Sequence, residues 1–401
     1  MGARQRRRRS GLLHDFARSL RDGRRRANRR LHSGISSIDP NIQFFACPWS
    51  PPGWMKNGGT VREGSAKGSW LNSIKQDAFE EYGEYLASFA LYFHQQNLPL
   101  LALSMGNEVH FNHDFNSMYL VGEDMLKAIR ATKRSLDQAR AAVPSFRAPL
   151  LTADDHVLNG YFYDSGFVPL IEGISSSPEA KSAVNVVSYH GYGVDAQTPE
   201  NASTTVLGRL LDKVRSDLGE GVELWMTETS GFHNGLLAEA DRVGALTMAE
   251  GLYTSLAYAN VSAWTFFGPE ELLHYGFLSW PGVALKHFAR FIRPGAVRFG
   301  ASSSEISDRL LVVAFENPAT SDLGRSYAIV IINKDGVPHG LDLSDLPMLD
   351  GYDGYREYRS SVHNACQDRG TLRPSDTSAT PFVIPPHGIV TLYQGRPVPT
   401  L

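Results

Sequence analysis

The stretch Pro99-Leu-Leu-Ala-Leu-Ser-Met-Gly-Asn-Glu108 decides the fold class. From Pro99 to Met105 it is almost wholly apolar and too short for a helix that would bury it, so it reads as a buried strand. It then ends abruptly in Gly106-Asn107-Glu108, a glycine and two polar side chains. Five other runs repeat this shape: Ile42–Cys47, Pro149–Thr152, Asn185–His190, Glu223–Thr227 and Val261–Phe267. Between them lie helical patterns. Asp77–Gln96 sets Phe79, Tyr82, Tyr85, Leu86, Phe89 and Phe93 at spacings near three and four, and Glu123–Arg140 and Ala238–Ala259 read similarly. Short apolar strands alternating with helices predict a parallel sheet.

Polar and aromatic side chains gather just after each run: Trp49, Asn107 and Glu108, Asp154 and Asp155, His190 to Tyr192, Glu228, and Trp264. A (β/α)8 barrel builds its active site at such strand ends, from several strands at once. The pattern alone leaves a barrel and an open sheet both standing. After Pro294-Gly295 the helical periodicity stops. Leu310–Phe315, Tyr327–Ile332, Tyr355–Tyr358 and Ile389–Tyr393 are β-rich, with turn chemistry in Asn333-Lys-Asp-Gly336 and Pro385-Pro-His-Gly388. This region is expected to form an all-β sandwich. The expected division is an arginine-rich leader over 1–31, a catalytic barrel over 32–295 and the sandwich over 296–401.

The net charge of -3 points to no nucleic-acid partner for the chain as a whole. It conceals an asymmetry, because residues 1–30 carry twelve arginines against Asp15 and Asp22. That leader reads as a solvated, disordered or helical tail. Two cysteines, Cys47 and Cys366, exclude a disulfide-stapled scaffold. No stretch is long and apolar enough to span a bilayer, and no signal peptide is visible. An aromatic content of 10% suits a cleft that stacks on sugar rings and equally suits a large α/β core.

Glu108 and Glu228 are the carboxylates whose placement demands explanation. Glu228 sits in Trp225-Met-Thr-Glu-Thr-Ser-Gly231, again at the end of an apolar run. A charged group there costs free energy unless it is paired or hydrogen-bonded. Two carboxylates are what glycosidic cleavage uses, one as acid for the leaving oxygen and one acting at the anomeric carbon. The plainer alternative is a glutamate that caps a helix or pairs with arginine. Asp154-Asp155-His156 resembles metal-ligand spacing, but no further ligand pattern surrounds it, and no metal or cofactor is expected.

Taken together, Asn107-Glu108, Thr227-Glu228 and Pro48-Trp-Ser-Pro-Pro-Gly-Trp-Met-Lys56 resemble glycoside hydrolase family 30, as does Phe288-Ala-Arg-Phe-Ile-Arg-Pro-Gly-Ala-Val-Arg298. The resemblance covers roughly residues 38–395. It implies a (β/α)8 barrel with a β-sandwich, extracellular work on a polysaccharide or oligosaccharide, and retention of anomeric configuration. Glu108 would be the acid/base after the fourth barrel strand, and Glu228 the nucleophile after the seventh. Retention requires carboxyls about 5–5.5 Å apart. Trp49 and Trp264 would stack on sugar faces, Asn107 would hold a hydroxyl, and His190 and Tyr192 would hold Glu228. Trp49 and Trp264 as plain core, and His190 satisfied by backbone, are the alternatives.

The family's substrates include β-1,6-glucan, β-1,6-galactan, glucuronoxylan and glucosylceramide. The Asn57–Trp70 and Gly231–Glu239 loops, rich in Gly and Ser, show no clamp for an anionic sugar, which favours a neutral β-1,6-glucan or galactan. The two barrel strands that precede Pro-Trp-Ser-Pro-Pro in the family have no counterpart here. Six barrel strands are therefore expected rather than eight. The competing expectation is an inactive carbohydrate-binding protein.

Overall fold

The structure, a computed structural model, describes residues 42–62, 68–98, 100–194, 206–231, 238–301, 309–320 and 323–398. The arginine-rich leader lies outside these residues, as do parts of the two substrate loops. All six apolar runs form strands: β1 (Phe44–Ala46), β2 (Leu100–Ser104), β3 (Leu150–Val157), β4 (Val184–His190), β5 (Glu223–Glu228) and β6 (Ala263–Trp264). They make one six-stranded sheet in sequence order, in which β1/β2, β2/β3 and β5/β6 pair in parallel. One principal helix follows each strand: α1 (Phe79–Gln95), α2 (Glu123–Ala142), α3 (Val168–Ser176), α4 (Val206–Asp217), α5 (Ala238–Ala257) and α6 (Trp280–Ala289). Six βα units in this order are an incomplete (β/α)8 barrel. None of the described helices is long and apolar enough to cross a membrane.

Two of the strands differ from their sequence reading. β6 keeps only Ala263 and Trp264, although its hydrogen bonding to β5 continues through Thr265 N–H to Met226 O and Phe267 N–H to Thr229 O. β3 runs on through Asp154-Asp155-His156 to Val157, where charged residues were expected to end it. Asp154 and Asp155 are buried there with φ of 73° and 89°. Non-glycine residues are held in that region only where surrounding structure over-determines them.

The chain divides into two compact units: residues 1–156, 161–188 and 213–223, and residues 157–160, 189–212 and 224–401. In the first, α1 buries Phe79, Tyr82 and Leu86 of the apolar face its periodicity marks out, together with Ala87 and Ala90, while Tyr85, Phe89 and Phe93 are half-buried. Gly83 lets α1 approach α2 closely, since a Cβ there would meet the Ala131 carbonyl carbon at 2.5 Å. In the second, the short antiparallel ribbon β7 (Leu273–His274) and β8 (Phe277–Leu278) precedes α6, and β9 (Val297–Phe299), β10 (Leu310–Asn317), β11 (Ser326–Asn333), β13 (Tyr355–Ser361), β14 (Asn364–Leu372) and β16 (Gly388–Gln394) form an antiparallel sheet in the order β14-β13-β16-β11-β10-β9.

This sheet alternates strictly between its two faces. Leu310, Ala314, Ile329 and Ile331 pack against Leu341, Phe382 and Ile384 of the two-stranded ribbon β12 (His339–Leu341) and β15 (Phe382–Ile384). Leu311, Val313, Phe315, Val330 and Ile332 pack on Met248, Leu252 and Tyr253 of α5 and on Ala284 and Phe288 of α6. The C-terminal all-β region is thus a sandwich on one side and a helix-covered sheet on the other.

Candidate active site

In the first unit, Glu108 stands four residues beyond the end of β2. The turn that carries it is fixed from several sides. Pro48 O, after β1, accepts the Asn107 N–H at 3.1 Å, and Asp155 O, in β3, accepts the Glu108 N–H at 2.9 Å. Beneath them the buried Tyr82 hydroxyl donates to Met105 O at 2.6 Å. Burial pushes that phenol well above its ordinary value. Glu108 itself has φ of 46°, a conformation rare outside glycine. Asn107 is buried. Trp49 is half-buried, its ring 5.1 Å from Phe115.

Two histidines that the sequence reading passed over, His110 and His113, lie on the loop that follows Glu108. His113 Nε2 lies 3.0 Å from Glu108 Oε2. The approach is off the ring N–H axis, so it is a close contact and not an aligned hydrogen bond. His110 Nε2 is 3.4 Å from Asp154 Oδ1, and its ring stacks on His156 at 4.5 Å. Burial by itself would lower the His110 pKa, but the Asp154 carboxylate outweighs it and holds the imidazole above its ordinary value. The available signal was the pair His110-Phe-Asn-His113 directly after Glu108.

In the second unit, Glu228 is the last residue of β5 and half-buried. The Tyr192 hydroxyl, from the turn after β4, donates to Glu228 Oε1 at 2.7 Å. His190 Nδ1 is 3.8 Å from the same oxygen, and the imidazole is buried. Both residues therefore converge on the one carboxylate. Next door, Trp264 pairs with Met226 across the β5/β6 ladder, and Thr265 Oγ1 donates to Thr227 O. Trp264 stacks on Phe266 at 6.3 Å, and its buried Nε1–H has no hydrogen-bond partner among the described residues. Gly231, at φ 85°, turns the chain away after Glu228, and its N–H donates to Glu271 Oε2 at 2.9 Å.

Comparison with known proteins finds glycoside hydrolases. Residues 26–125 match the model of the glycosyl hydrolase family 30 TIM-barrel domain. The chain is 25% identical over 319 residues to the glucuronoxylanase XynC of Bacillus subtilis, covering 77% of this chain and 64% of that protein. It is 25% identical over 345 residues to the mouse lysosomal acid glucosylceramidase, covering 79% and 61%. The chain thus spans somewhat under two thirds of the length of these relatives. Among solved structures, a conserved exported protein from Bacteroides fragilis superposes with a TM-score of 0.74 at 15% identity, covering 93% of this chain and 80% of that one. A family 30 endoxylanase from Clostridium papyrosolvens gives 0.69 at 18%, covering 93% and 85%.

Proposed function

We propose that this chain, which belongs to glycoside hydrolase family 30, cleaves β-linked glycans with retention, with Glu228 as nucleophile and Glu108 as acid/base. The observation that carries the reading is the Tyr192 hydroxyl on Glu228 Oε1. A donor aimed at a carboxylate oxygen favours the ionised form, which is the form that attacks. In the first step a Glu228 oxygen bonds to the anomeric carbon. The bond from that carbon to the leaving oxygen breaks, and Glu108 gives its proton to the departing oxygen. In the second, water attacks the same carbon and yields its proton to the Glu108 carboxylate, and the ester to Glu228 breaks.

Trp49 and Trp264 serve as sugar platforms in this reading. Asn107 holds a hydroxyl beside Glu108. The substrate is a neutral β-1,6-glucan or β-1,6-galactan, a preference resting on loops without an anionic-sugar clamp. A polymeric glycan places the enzyme outside the cell, and one structural relative is described as an exported protein.

The test is turnover of an aryl β-glucoside, β-1,6-glucan and β-1,6-galactan by the chain, by Glu228→Ala and by Glu108→Ala, with the anomer of the first-formed product read by NMR. Turnover with retention, abolished by Glu228→Ala, supports the reading. Glycan binding without turnover, indifferent to both substitutions, would make the chain a carbohydrate-binding protein instead.

A further inference from the structure

We infer that His113 is a positioning residue for the acid/base, linking the carboxyl of Glu108 to the aromatic platform at Trp49. The inference rests on the function proposed above and deepens it. His113 Nε2 lies 3.0 Å from Glu108 Oε2, with the two side chains 21% and 12% exposed. The imidazole is not a loose surface group. One face stacks on Phe115 at 4.3 Å and 13°, and Phe111 meets it edge-on at 5.4 Å. Phe115 in turn lies 5.1 Å from Trp49. Trp49, Phe115, His113 and Glu108 therefore form one continuous ladder.

The backbone under this ladder is pinned as well. The His113 N–H donates to Ser117 Oγ at 3.4 Å, and Ser117 Oγ also accepts from Asn72 Nδ2 at 3.0 Å. The fully buried Lys56 donates to Ser117 O at 2.8 Å. A lysine buried to this degree demands acceptors, and Ser117 O supplies one. The loop from Glu108 to Ser117 is thus anchored at its far end by a buried cation, and its near end is Glu108 itself. His113 sits between the two.

The chemistry follows from where charge develops. As Glu108 yields its proton, negative charge grows on its carboxyl. An imidazole N–H beside Oε2 stabilises that charge and fixes the carboxyl plane, and so the direction in which the proton leaves. Contacts of this kind commonly tighten into hydrogen bonds when substrate binds. A sugar stacked on Trp49 would press on the ladder at its other end. The benefit is confined to leaving groups that need protonation.

The experiment measures kcat/KM, which reports the first bond cleavage, for two β-glucosides. One carries an activated dinitrophenyl leaving group, which departs without a proton. The other is a β-1,6-linked gluco-oligosaccharide, whose leaving sugar oxygen needs one. Wild type, Glu108→Gln, His113→Ala and His113→Gln are compared. Glu108→Gln is expected to lose activity on the oligosaccharide far more than on the aryl glucoside. His113→Ala is expected to follow it in smaller measure, about tenfold on the oligosaccharide and less than about twofold on the aryl glucoside, a part of the total effect of a general acid. His113→Gln, which restores a donor, recovers most of that loss. If His113→Ala does not fold, Phe115→Leu removes the ring that holds the imidazole, and the same selective loss is expected.

An equal loss on both substrates, no loss on either, or no rescue by His113→Gln overturns the role of His113 while leaving the function intact. Failure of wild type to turn over either substrate, or a Glu108→Gln variant as active as wild type on both, overturns the functional reading and this inference with it.

Discussion

His287 should make the fold acid-sensitive in a way that one substitution isolates. It lies in α6, fully buried, with Nδ1 2.8 Å from Thr391 Oγ1 in β16 and Nε2 2.7 Å from Ser360 Oγ in β13. A neutral imidazole offers one donor and one acceptor, and two hydroxyls can satisfy both. A charged one would be buried without a counter-ion among these contacts, and Lys286 is adjacent in sequence. Burial, with Lys286 adding to it, pulls the pKa from 6.5 down to about 3. The folded value lies below the unfolded one, so below about pH 6.5 the unfolded chain takes up a proton that the fold refuses. The contribution is complete above pH 6.5 and is lost progressively as the pH falls towards 3. At pH 5 the loss is 1.5 pH units at about 1.36 kcal/mol each, or about 2 kcal/mol. This figure hardly depends on the folded value, provided that it stays below about 4. His287→Gln keeps a donor and an acceptor but cannot titrate. Urea unfolding of both proteins at pH 8 and pH 5 should show wild type losing about 2 kcal/mol of its advantage over His287→Gln between the two conditions. An advantage that stays constant within about 0.5 kcal/mol would mean that the imidazole is already charged in the fold, or is not shielded from water.

Three other substitutions test separate parts of the structure. Gly83→Ala gains about 1 kcal/mol in helix propensity but drives a Cβ into the α2 backbone at 2.5 Å, where no side chain can swing away, so a net loss of about 1–2 kcal/mol is expected in urea unfolding. Lys334→Met removes the ammonium 2.5 Å from Glu250 Oε1, a pair whose side chains are only 18% and 10% exposed. It should destabilise by about 2 kcal/mol, and adding Glu250→Gln should restore part of that, as a thermal-melting cycle would show. Tyr192→Phe removes the donor from Glu228, and since Tyr192 is 41% exposed the low end of a charged hydrogen bond applies. A fall of about tenfold in kcat with little change in KM is expected from steady-state kinetics.

The parallel sheet was legible because its strands run largely buried, which leaves near-continuous apolar runs such as Leu100–Leu103. Where burial is one-sided or absent, the signal fails. β14 is a nine-residue strand, yet Asn364-Ala-Cys-Gln-Asp-Arg-Gly-Thr-Leu372 contains no apolar run of the kind that marks its neighbours. It is an edge strand paired only with β13, and Cys366 is its one buried side chain, so water and not core composition selects its residues. β3 was cut short for the opposite reason. Acidic residues rarely continue a buried strand, but Asp154 is accommodated by His110, a tertiary partner with no trace in the local pattern.

The candidate site divides along the same line. Glu108 and Glu228 stand out because a carboxylate that ends an apolar run is costly unless something nearby compensates for it. That cost is visible in one dimension; the compensation is not. For Glu228 the compensating group, Tyr192, lies 36 positions earlier, and only the resemblance to a known family pointed to it. For Glu108 it lies five residues later in His113, on a loop without period, where a histidine among phenylalanines has no pattern to violate. What makes His113 informative is the combination of a ring stack, a pinned backbone and a short contact, each long-range or geometric. A strand-end acid can therefore be nominated from the chain alone, whereas the groups that hold its proton in line become visible only once loops are folded against one another. The His113→Gln comparison on the two leaving groups separates those contributions, because a residue that merely filled space beside Glu108 would not distinguish a sugar from a dinitrophenolate.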